Sequence, residues 1–136
     1  QAVAQACDIF AGMGRKAIRL AVSAAFHSKL MQTAADEFLP LVSALEFKKP
    51  RIDFYSNVYG GILPDGENMP EYLAKHIVSP VKFTAELSAL YENGFENFIE
   101  LGPGKVLSGL VKKTLKGVKI ANVEDGKSLD KAVELL

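Results

Sequence analysis

Apolar residues recur at helical spacing from the start of the chain. Val3, Ala6, Cys7 and Phe10 fall on one face, which predicts a helix over residues 2–11 stopped by Gly12-Met13-Gly14. KAIRLAV (16–22) alternates in part and carries enough β-branching to predict a short strand. From Ser28 onward, Met31, Ala34, Ala35, Phe38, Val42 and Leu45 share one face of a 3.6-residue repeat. This is the best amphipathic helix in the sequence, and Pro40 is expected to kink or split it. RIDFYSNV (51–58) is strand-like and runs into the glycine- and proline-bearing loop YGGILPDGEN.

Further along, Pro70 sits where a first helical turn begins, and EYLAKHI carries that helix to Ser79-Pro80. FTAELSALYE (83–92) predicts another helix with Gly94 as its stop. NFIEL (97–101) has the pattern of a buried strand and leads directly into GPGKVLSGLVKKTL, which becomes helical. VKIANV (118–123) predicts the next strand, EDGKS a turn, and Ser128 the N-cap of the last helix. Strands alternating with helices imply an α/β fold with a mainly parallel sheet. There is no internal repeat and no low-complexity tract.

Composition adds bounds. A chain of 136 residues with 49% hydrophobic and 24% charged positions suits one globular domain with a real core. Sixteen basic residues balance sixteen acidic ones, which recommends neither nucleic acid nor an anionic membrane as a partner. No apolar run approaches the ~20 residues that span a bilayer, and no charged-then-apolar leader is visible. The single cysteine, Cys7, lies in a helical apolar pattern and reads as packing rather than a reactive thiol; its lack of a partner agrees with a reducing compartment. QAVAQACDIF begins without methionine and already in helical periodicity, so the chain reads as a piece of something longer.

Three motifs invite chemistry. LGPGKVLSGL (101–110) follows a strand with glycines, as phosphate loops do. A Walker loop, however, needs Ser or Thr where Val106 stands and glycine where Ile99 stands, and the dinucleotide pattern needs glycine at Leu107. A structural strand-to-helix turn is the plainer reading, although amides at a helix start can receive an anion. Metal binding lacks the necessary clusters, because His27 and His76 are the only histidines and no paired Cys/His/carboxylate spacing accompanies them. His27, in AAFHSKLM (24–31), is either a ring packed at a helix entrance or one part of a catalytic apparatus. A catalytic histidine needs a nucleophile and a group that fixes its tautomer, and no G-x-S-x-G elbow occurs in the 136 residues.

The stretch AVSAAFHSKLM (21–31) resembles the segment around the catalytic histidine of malonyl-CoA:acyl carrier protein transacylases. FYSNV (54–58), HIVSPVKF (76–83) and FIELGPGKVLSGLVKK (98–113) continue the likeness in the family's order and spacing. It covers essentially the whole chain, and four motifs in register make it specific where one would not. The family's G-H-S-x-G elbow, the arginine that binds the malonate carboxylate and the glutamine region of the oxyanion hole are absent from this chain.

The resemblance therefore implies the C-terminal portion of such an enzyme. Residues 1–22 would end a small ferredoxin-like subdomain, and residues 23–136 would form the C-terminal part of an α/β hydrolase-like acyltransferase core. His27 would be the general base, taking the proton of the absent serine and returning it to the leaving thiolate, a task that suits an imidazole near neutral pH. An acyl-serine would then pass malonyl to the phosphopantetheine thiol of acyl carrier protein, giving ping-pong kinetics. Phe26 stands where malonyl-selective members carry phenylalanine and would exclude an α-methyl branch; core filling is the alternative reading. His76 departs from the amide common at its position, yet its backbone carbonyl would still orient the catalytic imidazole, and its side chain is either a solvent-facing helix residue or a disturbance to His27. Ser28, Asn57 and Gly102-Pro103-Gly104 would shape the pocket, and Lys29, Lys75, Lys82 and Lys105 are candidates for steering an acidic carrier protein.

The expected function is thus cytoplasmic malonyl transfer in fatty-acid synthesis, with malonyl-CoA as substrate and no metal or tightly bound cofactor. The expected partners are acyl carrier protein and the N-terminal remainder of the enzyme, without which this chain is inactive. Rival readings are the acyltransferase domain of a polyketide synthase and a non-catalytic module that binds carrier protein. A simple α/β hydrolase fits less well, because there the histidine comes late in the chain.

Overall fold

The computed structural model describes residues 2–19, 22 and 24–135. Helix α1 (Ala2–Gly12) opens the chain and buries none of its side chains. The turn that follows it closes at Gly14, whose φ of +69° suits the residue that terminates a helix. The strand expected over 16–22 is absent from residues 16–19 and 22, while Leu20 and Ala21 lie outside the described residues. β propensity needs a partner edge, and no described segment pairs with this one.

A 3₁₀ turn (Lys29–Met31) leads into α2 (Gln32–Ser43), which runs through Pro40 without splitting. Its buried Ala35 and Val42 lie on the face expected from the periodicity, and α2 packs on α3 (Met69–Val78). Asn68 caps α3 by accepting the amide of Glu71, and Pro70 occupies its first turn, where the missing N–H costs nothing.

The strand expected over 51–58 is far shorter. Only β1 (Tyr55–Ser56) forms, paired antiparallel with β2 (Gly61–Ile62). The reason is local: the Ser56 hydroxyl accepts the amides of Val58 and Tyr59, and its carbonyl accepts from Gly60, so the backbone turns instead of extending. Gly60 has φ +69°, and a Cβ there would lie 2.9 Å from the Ala85 Cβ. The turn can press on α4 (Phe83–Glu92) only because this residue has no side chain.

β3 (Asn97–Leu101), α5 (Val106–Thr114) and β4 (Lys119–Val123) form a strand–helix–strand unit, with the strands parallel and Asn97 opposite Lys119. The α/β arrangement therefore stands, with one parallel pair and one small antiparallel pair among the described residues. Leu87, only 2% exposed, packs with Val111 and Leu115 against Phe98 and Ile120, which seals α4 and α5 onto the parallel pair.

The last helix, α6 (Gly126–Val133), starts earlier than expected. Its N-cap is Asp125, not Ser128. Asp125 accepts the Ser128 amide at 2.8 Å while the Ser128 hydroxyl accepts the Asp125 amide at 2.9 Å, a reciprocal capping box. An acidic residue three positions before a serine carried that signal in the sequence.

Candidate active site

The loop before α2 is built to turn His27 outward. The Ser28 hydroxyl donates to the Ala25 carbonyl at 2.7 Å and accepts the amide of Leu30 at 3.3 Å, closing one turn and capping the next. Between them His27 has φ +56°, the one positive value on a non-glycine residue among those described. An L-residue there costs about 1–2 kcal/mol, and such backbone recurs where a side chain must be held for a purpose. The ring is exposed at the loop-to-helix junction.

One ring nitrogen is anchored. His27 Nδ1 lies 3.1 Å from the carbonyl oxygen of His76. That carbonyl is available for a reason legible in the chain. Its intrahelical donor would be the amide of residue 80, and Pro80 has no N–H. Among the described residues, only the amide of Ser79 reaches the same oxygen from the backbone, at 3.4 Å. Since a carbonyl can only accept, Nδ1 must carry the hydrogen, and in the neutral ring Nε2 is left with its lone pair. The end of α3 also turns the negative pole of the helix toward the ring, the sign that suits an arriving proton.

Behind His27 stands a row of rings. The His27 and His76 centroids are 5.3 Å apart with planes tilted by 57°, and His76 lies nearly flat on Tyr72 at 6.1 Å and 11°. Tyr72 stacks in turn on Tyr59 at 6.2 Å, and the Lys75 ammonium sits 5.0 Å from the Tyr59 ring centre. Tyr72 and His76 meet because they are four residues apart on one helix. Tyr72 is buried, with its phenol oxygen 2.8 Å from the Ser56 hydroxyl. The lone pairs of Ser56 serve the Val58 and Tyr59 amides, so its hydrogen goes to Tyr72. Tyr59 donates to Glu67 at 2.8 Å. Burial, and next the neighbouring charge of His27, hold the His76 ring below the usual histidine range. Its Nε2 is buried without a hydrogen-bond partner among the described residues. The sequence reading missed this row, although the four-residue spacing of Tyr72 and His76 pointed to it.

Phe26 is 59% exposed, so it fills no core within this chain. Lys29, Lys75, Lys82 and Lys105 are exposed. The Asn57 side-chain oxygen is buried without a partner, and its backbone carbonyl accepts the Lys82 amide at 2.8 Å. Cys7 is partly buried on α1.

The glycine turn after β3 is occupied from within. Glu100 accepts the amides of Leu107 and Ser108 at 3.1 and 2.8 Å, and Glu124 accepts that of Gly104 at 3.0 Å. Carboxylates of the chain thus take the positions an anion would take, and the amides of the α5 start hold Glu100 below the usual carboxylate range. Among the described residues, no group of three or more His, Cys, Asp or Glu could hold a metal ion, and no helix is long and apolar enough to cross a membrane. An open groove of about 820 Å³ lies between the loop before β1 and that after β2, lined by Phe47, Ile52, Phe54 and Met69 but by neither histidine.

Residues 2–131 match the family model of the acyl transferase domain. The malonyl CoA-acyl carrier protein transacylase of Bacillus subtilis is 37% identical over 122 residues, which span 90% of this chain and 38% of that protein. A polyketide synthase of Streptomyces halstedii is 43% identical over 110 residues, 79% of this chain and 2% of that protein. The crystal structure of a malonyl CoA-acyl carrier protein transacylase from Clostridium perfringens superposes with a TM-score of 0.91 at 37% identity, covering 98% of this chain and 42% of that one. The chain spans about two fifths of the length of the transacylases it matches.

Proposed function

Since the chain belongs to the family of acyl transferase domains, we propose that it supplies the general base for moving malonyl from coenzyme A to acyl carrier protein. Nε2 of His27 takes the hydroxyl proton of a serine on a portion of the protein outside this chain as that oxygen attacks the malonyl thioester. The proton then goes to the departing coenzyme A thiolate. In the second half, His27 takes the proton of the carrier protein's phosphopantetheine thiol, sulfur attacks the acyl-serine, and the serine oxygen recovers its proton. The His76 carbonyl keeps the ring in the tautomer that makes each transfer possible.

What supports this reading above all is the pairing of a strained, exposed histidine with a carbonyl that lacks its helical donor. Phe26, exposed beside His27, is proposed to exclude acyl groups with an α-methyl branch, and the exposed lysines to attract the acidic carrier protein. Residues 1–22 are assigned to the end of the small ferredoxin-like subdomain and 23–136 to the hydrolase-like core. Fatty-acid synthesis in the cytoplasm, with the chain inactive by itself, completes the proposal.

The test uses the full-length protein, in which this chain is joined to the portion proposed to carry the serine. Transfer of labelled malonyl from coenzyme A to acyl carrier protein should fall about 10²–10⁴-fold in His27→Ala. Near-normal transfer in that variant would remove the assignment. The Streptomyces likeness supports a second reading, a polyketide synthase acyltransferase domain. A carrier domain within the same polypeptide would favour it over a free-standing enzyme.

A further inference from the structure

The His76 carbonyl has a role in the scheme above, but its side chain has none. We propose that the His76 imidazole is a positioning residue for the base: lying flat on Tyr72, it forms the wall on which the His27 ring rests. The inference depends on His27 acting as that base.

Three observations carry it. The two rings are within contact, with centroids 5.3 Å apart, and their tilt presents one to the other at an angle rather than leaving both free. His76 cannot recede, because the Tyr72 ring stacks on its far side and is itself buried and backed by Tyr59. The single bond from Nδ1 to a carbonyl fixes one point of the His27 ring but leaves it free to swing about that bond. A wall beside the ring removes the swing, and with it the misplacement of Nε2 relative to the attacking oxygen.

The wall works only if it carries no charge of its own, since a cation there would oppose a proton arriving on His27. Burial and the charge of His27 both act in that direction on His76. The elements packed against α3 bring Lys29, Asp36 and Glu37, and around Tyr72 lie Tyr59, Glu67 and Lys75. None of these is among the causes acting on His76; His27 is its one charged neighbour of consequence. A positive charge on His27 therefore disfavours a proton on His76.

The test follows the full-length protein by kinetics and by imidazole NMR. His76→Ala, which keeps the backbone carbonyl and removes the ring, should lower kcat for malonyl transfer about tenfold with KM for malonyl-CoA unchanged. His76→Phe, which restores a flat, uncharged ring, should recover most of that loss. The His76 resonance should titrate at higher pH in His27→Ala than in the parent protein. The proposal falls if kcat is unchanged in His76→Ala, if His76→Phe is no better than His76→Ala, or if the His76 titration ignores the loss of His27. The titration is read without turnover, so the coupled rings can stand even where malonyl transfer itself is not found, and the converse failure is equally visible.

Discussion

His27 Nδ1 and the carbonyl oxygen of His76 meet at 3.1 Å although 49 positions separate them in the chain. Two ordinary facts of backbone chemistry produce that contact. A hydroxyl-closed turn throws His27 into the left-handed region, and a proline four residues after His76 deprives its carbonyl of the usual donor. Neither depends on the identity of the side chain at position 76. An imidazole can therefore stand there without disturbing the anchor, and its own ring becomes free to do something else.

Phe26 lies exposed beside the proposed base, so its truncation should leave folding intact and change selectivity. In Phe26→Ala, the ratio of kcat/KM for methylmalonyl-CoA to that for malonyl-CoA should rise about tenfold or more, the ~1–3 kcal/mol of one methyl group in a pocket. Competition assays with the two thioesters measure it. An unchanged ratio would return Phe26 to mere surface.

Tyr72→Phe keeps the ring that backs His76 but leaves the buried Ser56 hydroxyl without its acceptor. The loss should be about 1–3 kcal/mol in urea unfolding, with kcat for transfer nearly unchanged. A large fall in kcat at unchanged stability would mean that the phenol oxygen, and not the ring, matters at the site.

Gly60→Ala combines a left-handed backbone with a Cβ 2.9 Å from that of Ala85. The expected cost is about 1–3 kcal/mol. Adding Ala85→Gly removes the nearer contact but leaves the Lys82 Cβ at 3.1 Å, the backbone cost and a glycine inside α4, so the double variant should recover part of the loss but not all. Full recovery would show that φ carries no strain.

Glu100 makes stability depend on acid in a stated direction. Its folded-state affinity for protons is lowered from the ordinary value of 4.5, chiefly by the Ser108 amide. The unfolded chain therefore binds the proton more readily, and the stabilisation is complete above about pH 4.5 and lost as pH falls through the folded-state value. Glu100→Gln should melt at a lower temperature than the parent protein at pH 7, and the gap should close as melts are taken at progressively lower pH. A gap that is constant with pH would count against the carboxylate as the cap of α5.

Much of this was written in the chain. The helix over 83–92, the strand over 97–101 and the start of α3 near Pro70 follow from apolar period, Gly94 and proline chemistry, all of which act within a few residues. Local chemistry was also the source of the errors. The strand expected over 51–58 shrank to two residues because the Ser56 hydroxyl competes for backbone amides, and the last helix began at Gly126 because Asp125 caps it. Both signals are in the chain: the Ser56 hydroxyl draws the amide of Val58 out of a strand, and Asp125, three positions before Ser128, caps the helix first.

The sequence by itself determined the order of elements, the glycine stops and the residues in which chemistry had to be sought, since each depends on neighbours along the chain. Only the tertiary structure decided that His27 meets the end of α3, that Tyr59, Tyr72 and His76 stack behind it, and that Glu100 and Glu124 fill the glycine turn. Those relationships join residues through space, and hydrogen bonds and ring contacts act at distances that have no counterpart in sequence separation.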